Sequence, residues 1–238
     1  MLISIKAAVA ATLVMATVPA AANLVANGSF EAPPTTLRFY PVGSTAITNW
    51  TVVNLPGGSG NIQHSNNSDF GALGVVASDG VQYLDLTGNI GRGGGIQSDA
   101  FATTVGTRYA VSFDVGAIFV AGFGSFGDAI VDLYIDGDFA GSYLNTMSLN
   151  SPGTDYQRFS QTFVAAGPTS TVAFYSSQSM ASSNLGVIFD KVDVSVAGVP
   201  EPATWAMLIG GFAMVGAAAA GGGGVIIDKA YPSLAAER

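Results

Sequence analysis

The sequence predicts an all-β body, an antiparallel β-sandwich of the jelly-roll kind, flanked by an N-terminal signal peptide and a C-terminal hydrophobic helix. Three observations lead there. Apolar and polar residues alternate in short runs, Gly, Asn, Asp and Pro punctuate those runs, and no internal stretch makes a convincing amphipathic helix. A strand face of about three or four apolar residues cannot bury itself alone, but two sheets stacked face to face share one core. The expected segments are 1–22 for the signal peptide, 23–197 for the sandwich, 198–227 for the apolar terminal segment and 228–238 for a polar tail.

The strands follow in order. Early candidates are NLVANGSFE, AITNWTVVN, VQYLDLTG and GIQSDAFAT. In TRYAVSFDVGAIF, Tyr109, Val111, Phe113 and Val115 fall on one side, with Ala110, Ser112 and Asp114 on the other. IVDLYIDGDFAGSY repeats the pattern through Val131, Leu133 and Ile135, then turns at Asp136 and Gly137, a common short-hairpin pair. QRFSQTFVAA, STVAFYSS and NLGVIFDKVDVSVAG continue it. Residues 57–78 read as loops around a short strand, and residues 176–184 as a further loop.

Composition narrows the function classes. The chain has 238 residues, no cysteine and a net charge of -8, with only 8 Lys and Arg residues. A disulfide scaffold, thiolate nucleophiles and cysteine-ligated metal centres are excluded. The basic residues do not cluster, so the footprint of a nucleic-acid binder is missing. Mean hydropathy is raised by the two ends. At the start, Lys6 precedes an apolar run from Ala7 to Val18 and small residues at Ala20 and Ala22, the pattern of a secretory signal peptide cut after Ala22. Near the other end, the stretch from Ala203 to Ile227 carries no charge until Asp228, and about 20 apolar residues suffice to span a bilayer. Pro200 and Pro202 hold the chain before it extended.

The segment VPEPATWAMLIGGFAMVG resembles the PEP-CTERM sorting signal in its PEPxA variant. That resemblance implies an exported protein of a Gram-negative bacterium, transiently anchored in the inner membrane. It also implies signal peptidase and an exosortase-like enzyme as processing partners. The matching residues are Pro200, Glu201, Pro202, Ala203 and Trp205. The chain departs from the pattern after the apolar run, where Lys229 and Arg238 stand in place of an arginine cluster, so the positive-inside effect is weak. The body, through NLVANGSFE, Trp50, VQYLDLTG, GTRYAVSFDV and NLGVIFDKVDVS, resembles the galactose-binding-like and carbohydrate-binding modules.

In such modules the acid after NGSF and an acid of the final strand help hold a structural calcium, which implies Glu31 and Asp190 here. Asp190 also shares strand parity with Ile188, Val192, Val194 and Val196. An acid on an apolar face needs hydrogen bonds, a positive partner or a metal; the alternative is a strand-end position bound to backbone N–H groups. Asp132, Asp136 and Asp138 lack EF-hand spacing and read as solvated hairpin acids. His64, the one histidine, sits in a polar loop and reads as solvated. A sugar-binding face needs exposed aromatic rings, for which Phe119, Phe123, Phe126 and Trp50 are the candidates, with Trp50 also a core candidate.

The resulting expectation is a noncatalytic protein of the cell envelope or extracellular matrix, with exopolysaccharide as its ligand. A self-associating matrix protein without a glycan ligand is the second reading. A membrane-anchored glycoside hydrolase is the third, whose test is the separation of two carboxylates.

Overall fold

The computed structural model describes residues 22–56, 58, 60–89, 94–122, 124–125, 128–146, 152–177 and 186–197. Within the unit Ala21–Ala197 the described strands are β1 (Arg38–Tyr40), β2 (Trp50–Asn54), β3 (Ile62–Asn66), β4 (Gln82–Asp85), β5 (Gly94–Ser98), β6 (Phe101–Ala102) and β7 (Arg108–Val120). They continue with β8 (Gly124–Ser125), β9 (Ala129–Ile135), β10 (Asp138–Asn145), β11 (Gly153–Val164), β12 (Thr169–Ser170), β13 (Val172–Ser176) and β14 (Ile188–Val196). The large sheet runs β1-β3-β4-β14-β7-β11, with β8 paired to β7; the small one runs β10-β9-β13-β5-β2. Each pairing in both sheets is antiparallel.

The alternation in the sequence explains how the two sheets close on each other. Tyr109, Val111, Phe113 and Val115 are buried, as are Val131 and Leu133, and all join one core with Trp50, Ile96 and Phe174 of the small sheet. Phe174 sits at its centre, with ring centroids 4.9 Å from Phe113 and 4.6 Å from Phe189. The β9–β10 hairpin turns at Asp136 (φ 54°) and Gly137 (φ 88°), the two left-handed positions that such a turn requires.

Two expectations need correction. The expected flanking helix falls on residues 198–227, outside the described residues, as do the signal peptide and sorting-signal residues Pro200, Glu201, Pro202, Ala203 and Trp205. Among the described residues the helical elements are α1 (Asn67–Phe70) and a 3-10 turn (Gly71–Leu73), and no helix is long and apolar enough to cross a membrane. The second correction concerns residues 57–78. The polar run IQHSN forms β3, and His64 is fully buried rather than solvated.

Candidate active site

The outer face of the large sheet, turned away from the main core, is where the chemistry gathers. Cross-strand partners point to the same side of a sheet. Gln63 pairs with Asp85, Asp85 with Ile188, Ile188 with Gly116 and Gly116 with Tyr156, which makes one row across five strands. A neighbouring row carries Asp190, Asp114 and Arg158 on β14, β7 and β11. Tyr83, two residues before Asp85 on β4, lies on the same face.

A sheet face of this kind is normally wet, but here residues 67–79 form a strap across it. Asn66 caps α1, its Oδ1 accepting from Ser68 N at 2.7 Å, and Asp69 Oδ2 in turn accepts from Asn66 N at 2.8 Å. Further along, Thr154 N donates to Gly74 O, Tyr156 Oη to Val76 O, and Ser78 N and Asp79 N to Asp190 Oδ2. Under the strap, Val75, Tyr83, Ile118, Val120 and Ile188 form a second apolar cluster, with Phe70, Ala77 and Tyr156 packed against it. That is why the alternation of β7 gives way after Phe113 to an unbroken buried stretch from Phe113 to Ile118.

Burial is the main electrostatic fact of this face. The Asp85 carboxyl is pushed up to about 7 by desolvation, against weaker opposing pulls from the Thr87 hydroxyl and backbone and the backbone of Val187 and Gly186. Its Oδ1 accepts from Thr87 N at 2.9 Å and from Thr87 Oγ1, whereas its Oδ2 closes no full hydrogen bond among the described residues, although the backbone N–H groups of Gly186 and Val187 lie near the carboxyl. Asp190 is also pushed up to about 7 by burial, but its oxygens are occupied. Oδ2 accepts from Ser78 N, Ser78 Oγ and Asp79 N, and Oδ1 from Lys191 N. The Tyr83 phenol is raised by burial and by the charges of Asp69 and Asp85, against a weaker opposing pull from the side chain of Ser65, its cross-strand neighbour on β3. Burial raises Tyr156 as well, with the charges of Asp190, Tyr83 and Asp114 adding to it. Asp114 pairs with Arg158 at 2.8 Å. The arrangement offers a buried carboxyl with a raised pKa, two neutral phenols and an apolar floor, which suits proton delivery to an apolar molecule.

The residues singled out from sequence fall elsewhere or into other roles. Trp50 is core, packed 5.2 Å from Phe30 with its indole N–H on Asn27 O, and is no ligand platform. Phe119 is half-buried on β7, paired with Gly153, while Phe123 and Phe126 lie outside the described residues. Glu31 and Asp190 meet the same short loop: Glu31 Oε1 accepts from Val81 N and Gln82 N, both at 2.7 Å, and Asp190 holds Ser78 and Asp79. Asp190 does not share a face with Val192 and Val194, because a bulge between Asp190 and Asp193, with Lys191 at φ 56°, reverses the parity of β14. Among the described residues no three His, Asp or Glu side chains gather as a metal cage. His64 donates from Nε2 to Phe30 O at 2.9 Å, and burial lowers its pKa. A cleft of about 310 Å³ bordered by Leu24, Asn49, Asp99 and Phe101 contains none of the buried acids.

Comparison with known proteins decides the family. The family model described as HpiC1-like, HpiC1 cyclase, matches residues 21–195. The chain belongs to the HpiC1-like family. Solved relatives agree in fold. A Stig cyclase, Fisc from Fischerella sp. TAU, in complex with (3Z)-3-(1-methyl-2-pyrrolidinylidene)-3H-indole, is 17% identical, with a TM-score of 0.51 over 74% of this chain and 98% of that one. An apo cyclase from Fischerella sp. is 16% identical, with a TM-score of 0.53 over 75% and 97%. A Fischerella sp. TAU cyclase in complex with 4-(1H-indol-3-yl)butan-2-one is 17% identical, with a TM-score of 0.51 over 74% and 98%. No curated protein sequence matches the chain.

HpiC1-like membership corrects the functional expectations. The resemblance to a PEP-CTERM sorting protein with a carbohydrate-binding body is replaced by a cyclase family, and with it goes the noncatalytic matrix role. The polysaccharide ligand and the hydrolase alternative fall with the same finding, and the inner-membrane anchor on which the processing partners and the envelope location rest has no support among the described residues, where no helix is long and apolar enough to cross a membrane. The physical reason is that the quoted motifs mark turns and strands of a jelly roll, which binding modules and enzymes share.

Sequence reasoning missed Asp85, Tyr83, Tyr156 and Gly116. A signal for the first two was present in VQYLDLTG: Leu84 and Leu86 alternate with Tyr83 and Asp85, so an acid and a phenol share the second face of an apolar strand.

Proposed function

We propose that this chain is a cyclase that closes a ring in an unsaturated, apolar substrate by acid catalysis, with Asp85 as the proton donor. The observation that carries the reading is the buried Asp85 carboxyl, raised to about 7, on the same sheet face as Tyr83. Family membership supports the reaction class. The Asp85 O–H bond breaks as its proton forms a bond to the substrate. The cation so made is attacked by a second π-bond of the same molecule, which closes a carbon–carbon bond. Loss of a proton to the Asp85 carboxylate restores the acid, so the product is an isomer of the substrate and no redox partner is needed. Tyr83 and Tyr156, on the same sheet face, supply aromatic rings that stabilise positive charge, and the strap keeps water from quenching it. Asp190 anchors the strap, since its oxygens are already engaged by Ser78, Asp79 and Lys191.

The indole ligands of the Fischerella cyclases suggest an aromatic, indole-like substrate. The test is incubation of the full chain with an alkenyl indole, followed by chromatography and mass spectrometry. The expected result is a new peak of unchanged mass with the wild type and none with Asp85→Asn. Wild-type turnover at the same rate in Asp85→Asn would remove Asp85 from the role. No product and no binding of 4-(1H-indol-3-yl)butan-2-one would remove the cyclase reading.

A structural calcium ion at Glu31 and Asp190 is proposed as well. Glu31 holds the loop through Oε1, which leaves its second oxygen for a hard cation, whereas Asp190 has less to offer. The ion would stiffen the loop at residues 78–82 and take no part in the proton transfer. A lower melting temperature in EDTA is the expected result, and superimposable curves reject the ion.

A further inference from the structure

We propose that the outer face of the small sheet binds a small molecule through an alkylated ammonium group, held by the rings of Tyr134 and Tyr175 and the carboxylate of Asp132. This face lies across the sandwich from Asp85, so the proposal stands apart from the cyclase reading. Leu133, Phe174 and Ile96 are cross-strand partners that fill the core, so the residues on either side of each point outward. Register sets them in rows: one carries Phe139, Tyr134 and Ala173, and the next carries Asp132, Tyr175 and Gly95. Phe139 is exposed, and Asp132, Tyr134 and Tyr175 are half-buried, so the group is open to solvent.

Gly95 sets the shape of the group. A methyl there would stand 2.6 Å from Tyr175 Cδ1, so the Tyr175 ring lies down over β5 instead of standing off the sheet. Tyr134 meets that ring at 79°, with centroids 5.2 Å apart, and Phe139 meets Tyr134 at 69° and 5.5 Å. Asp132 is the cross-strand partner of Tyr175, which sets their Cβ atoms about 5 Å apart, and its Oδ1 accepts from Ser177 Oγ at 3.1 Å. The five strands of this sheet carry no Lys or Arg, and among the described residues no basic side chain pairs with Asp132. Asp136 and Asp138, in the hairpin next to Tyr134 and Phe139, add to the negative charge. A cation in the angle between the two tyrosine rings is drawn by their π-density and by the carboxylate together. Alkyl groups on its nitrogen match the rings and leave fewer N–H donors to satisfy against them, which favours an alkylated ammonium over a bare one.

The experiment titrates the full chain with choline and with its uncharged isostere, 3,3-dimethylbutan-1-ol, following the ligand methyl signals by NMR. The wild type is expected to bind choline about tenfold more tightly than the alcohol. Tyr175→Leu, which keeps an apolar side chain over Gly95 but removes the ring, should abolish that preference, and so should Asp132→Asn. Added salt should weaken choline binding to the wild type more than to Asp132→Asn. Melting temperatures check that each variant is folded, and Tyr134→Leu serves in place of Tyr175→Leu if the latter is not. Equal affinity for the two probes, no binding of choline, or a preference that survives all three substitutions overturns the proposal. Binding of a trilysine peptide without binding of choline overturns it as well and gives the face to a basic peptide. None of these results touches the role of Asp85.

Discussion

Replacing Asp85 by asparagine should flatten the pH dependence of stability, and the size of the effect follows from the site. The folded Asp85 carboxyl is raised from an ordinary 3.8 to about 7. A folded state that holds its proton more tightly than the unfolded chain gains stability that is fully present below pH 3.8. That gain is lost as pH climbs through about 7, and no further change follows above it. Each pH unit of difference is worth 1.36 kcal/mol, so the whole span corresponds to about 4 kcal/mol. For a chain of this size that is a shift of roughly 10 °C in melting temperature. Asparagine keeps the acceptor for Thr87 and has nothing to titrate. Asp190, raised in the same direction, and His64, lowered and therefore losing stability on acidification, are common to both proteins and cancel in the difference. Urea unfolding of wild type and Asp85→Asn from pH 4 to pH 8 measures it. The wild type should lose about 4 kcal/mol relative to the variant across that range. A difference that stays constant with pH would refute the reasoning.

Further outcomes follow from the same face. Turnover should fall about tenfold per pH unit above about 7.5, as the acid form of Asp85 is depleted; a rate flat to pH 9, followed in the isomerisation assay, contradicts a carboxyl donor. Asp190→Ala strips the acceptor from Ser78 N and Asp79 N and should cost about 2–4 kcal/mol, with hydrogen exchange quickened at those two amides. Gly116→Ala forces a methyl against Thr154, Tyr156 and Ile188 and should cost about 1–3 kcal/mol in denaturant unfolding. Trp50→Phe should lower stability without altering affinity for the indole ketone, because Trp50 belongs to the core between the sheets.

Much of the sandwich was legible because one face of each long strand meets the core. Tyr109, Val111, Phe113 and Val115 alternate for that reason, and Asp136-Gly137 turns where the pair says it should. β3 was not legible. IQHSN is polar, yet it is covered on one side by Phe30 and on the other by the packed outer face, so its burial depends on residues far along the chain. The same long-range dependence hid the site. Asp190 reads as an acid among valines until a bulge at Lys191 turns it to the other face, where backbone N–H groups from a distant strap receive it. Asp85 looks like an ordinary strand acid; its raised pKa comes from a cover that strand periodicity does not show.

The central claim is that Asp85 keeps its proton in the folded chain well above the ordinary carboxylate range, up to about pH 7. Infrared difference spectra of wild type against Asp85→Asn, recorded while pH is raised from about 4 to 9, follow that carboxyl directly. The account predicts a protonated carbonyl band that persists to pH 6, disappears with a midpoint near 7 and is missing from the variant. Spectra in which no carboxyl remains protonated above about pH 5 would contradict it.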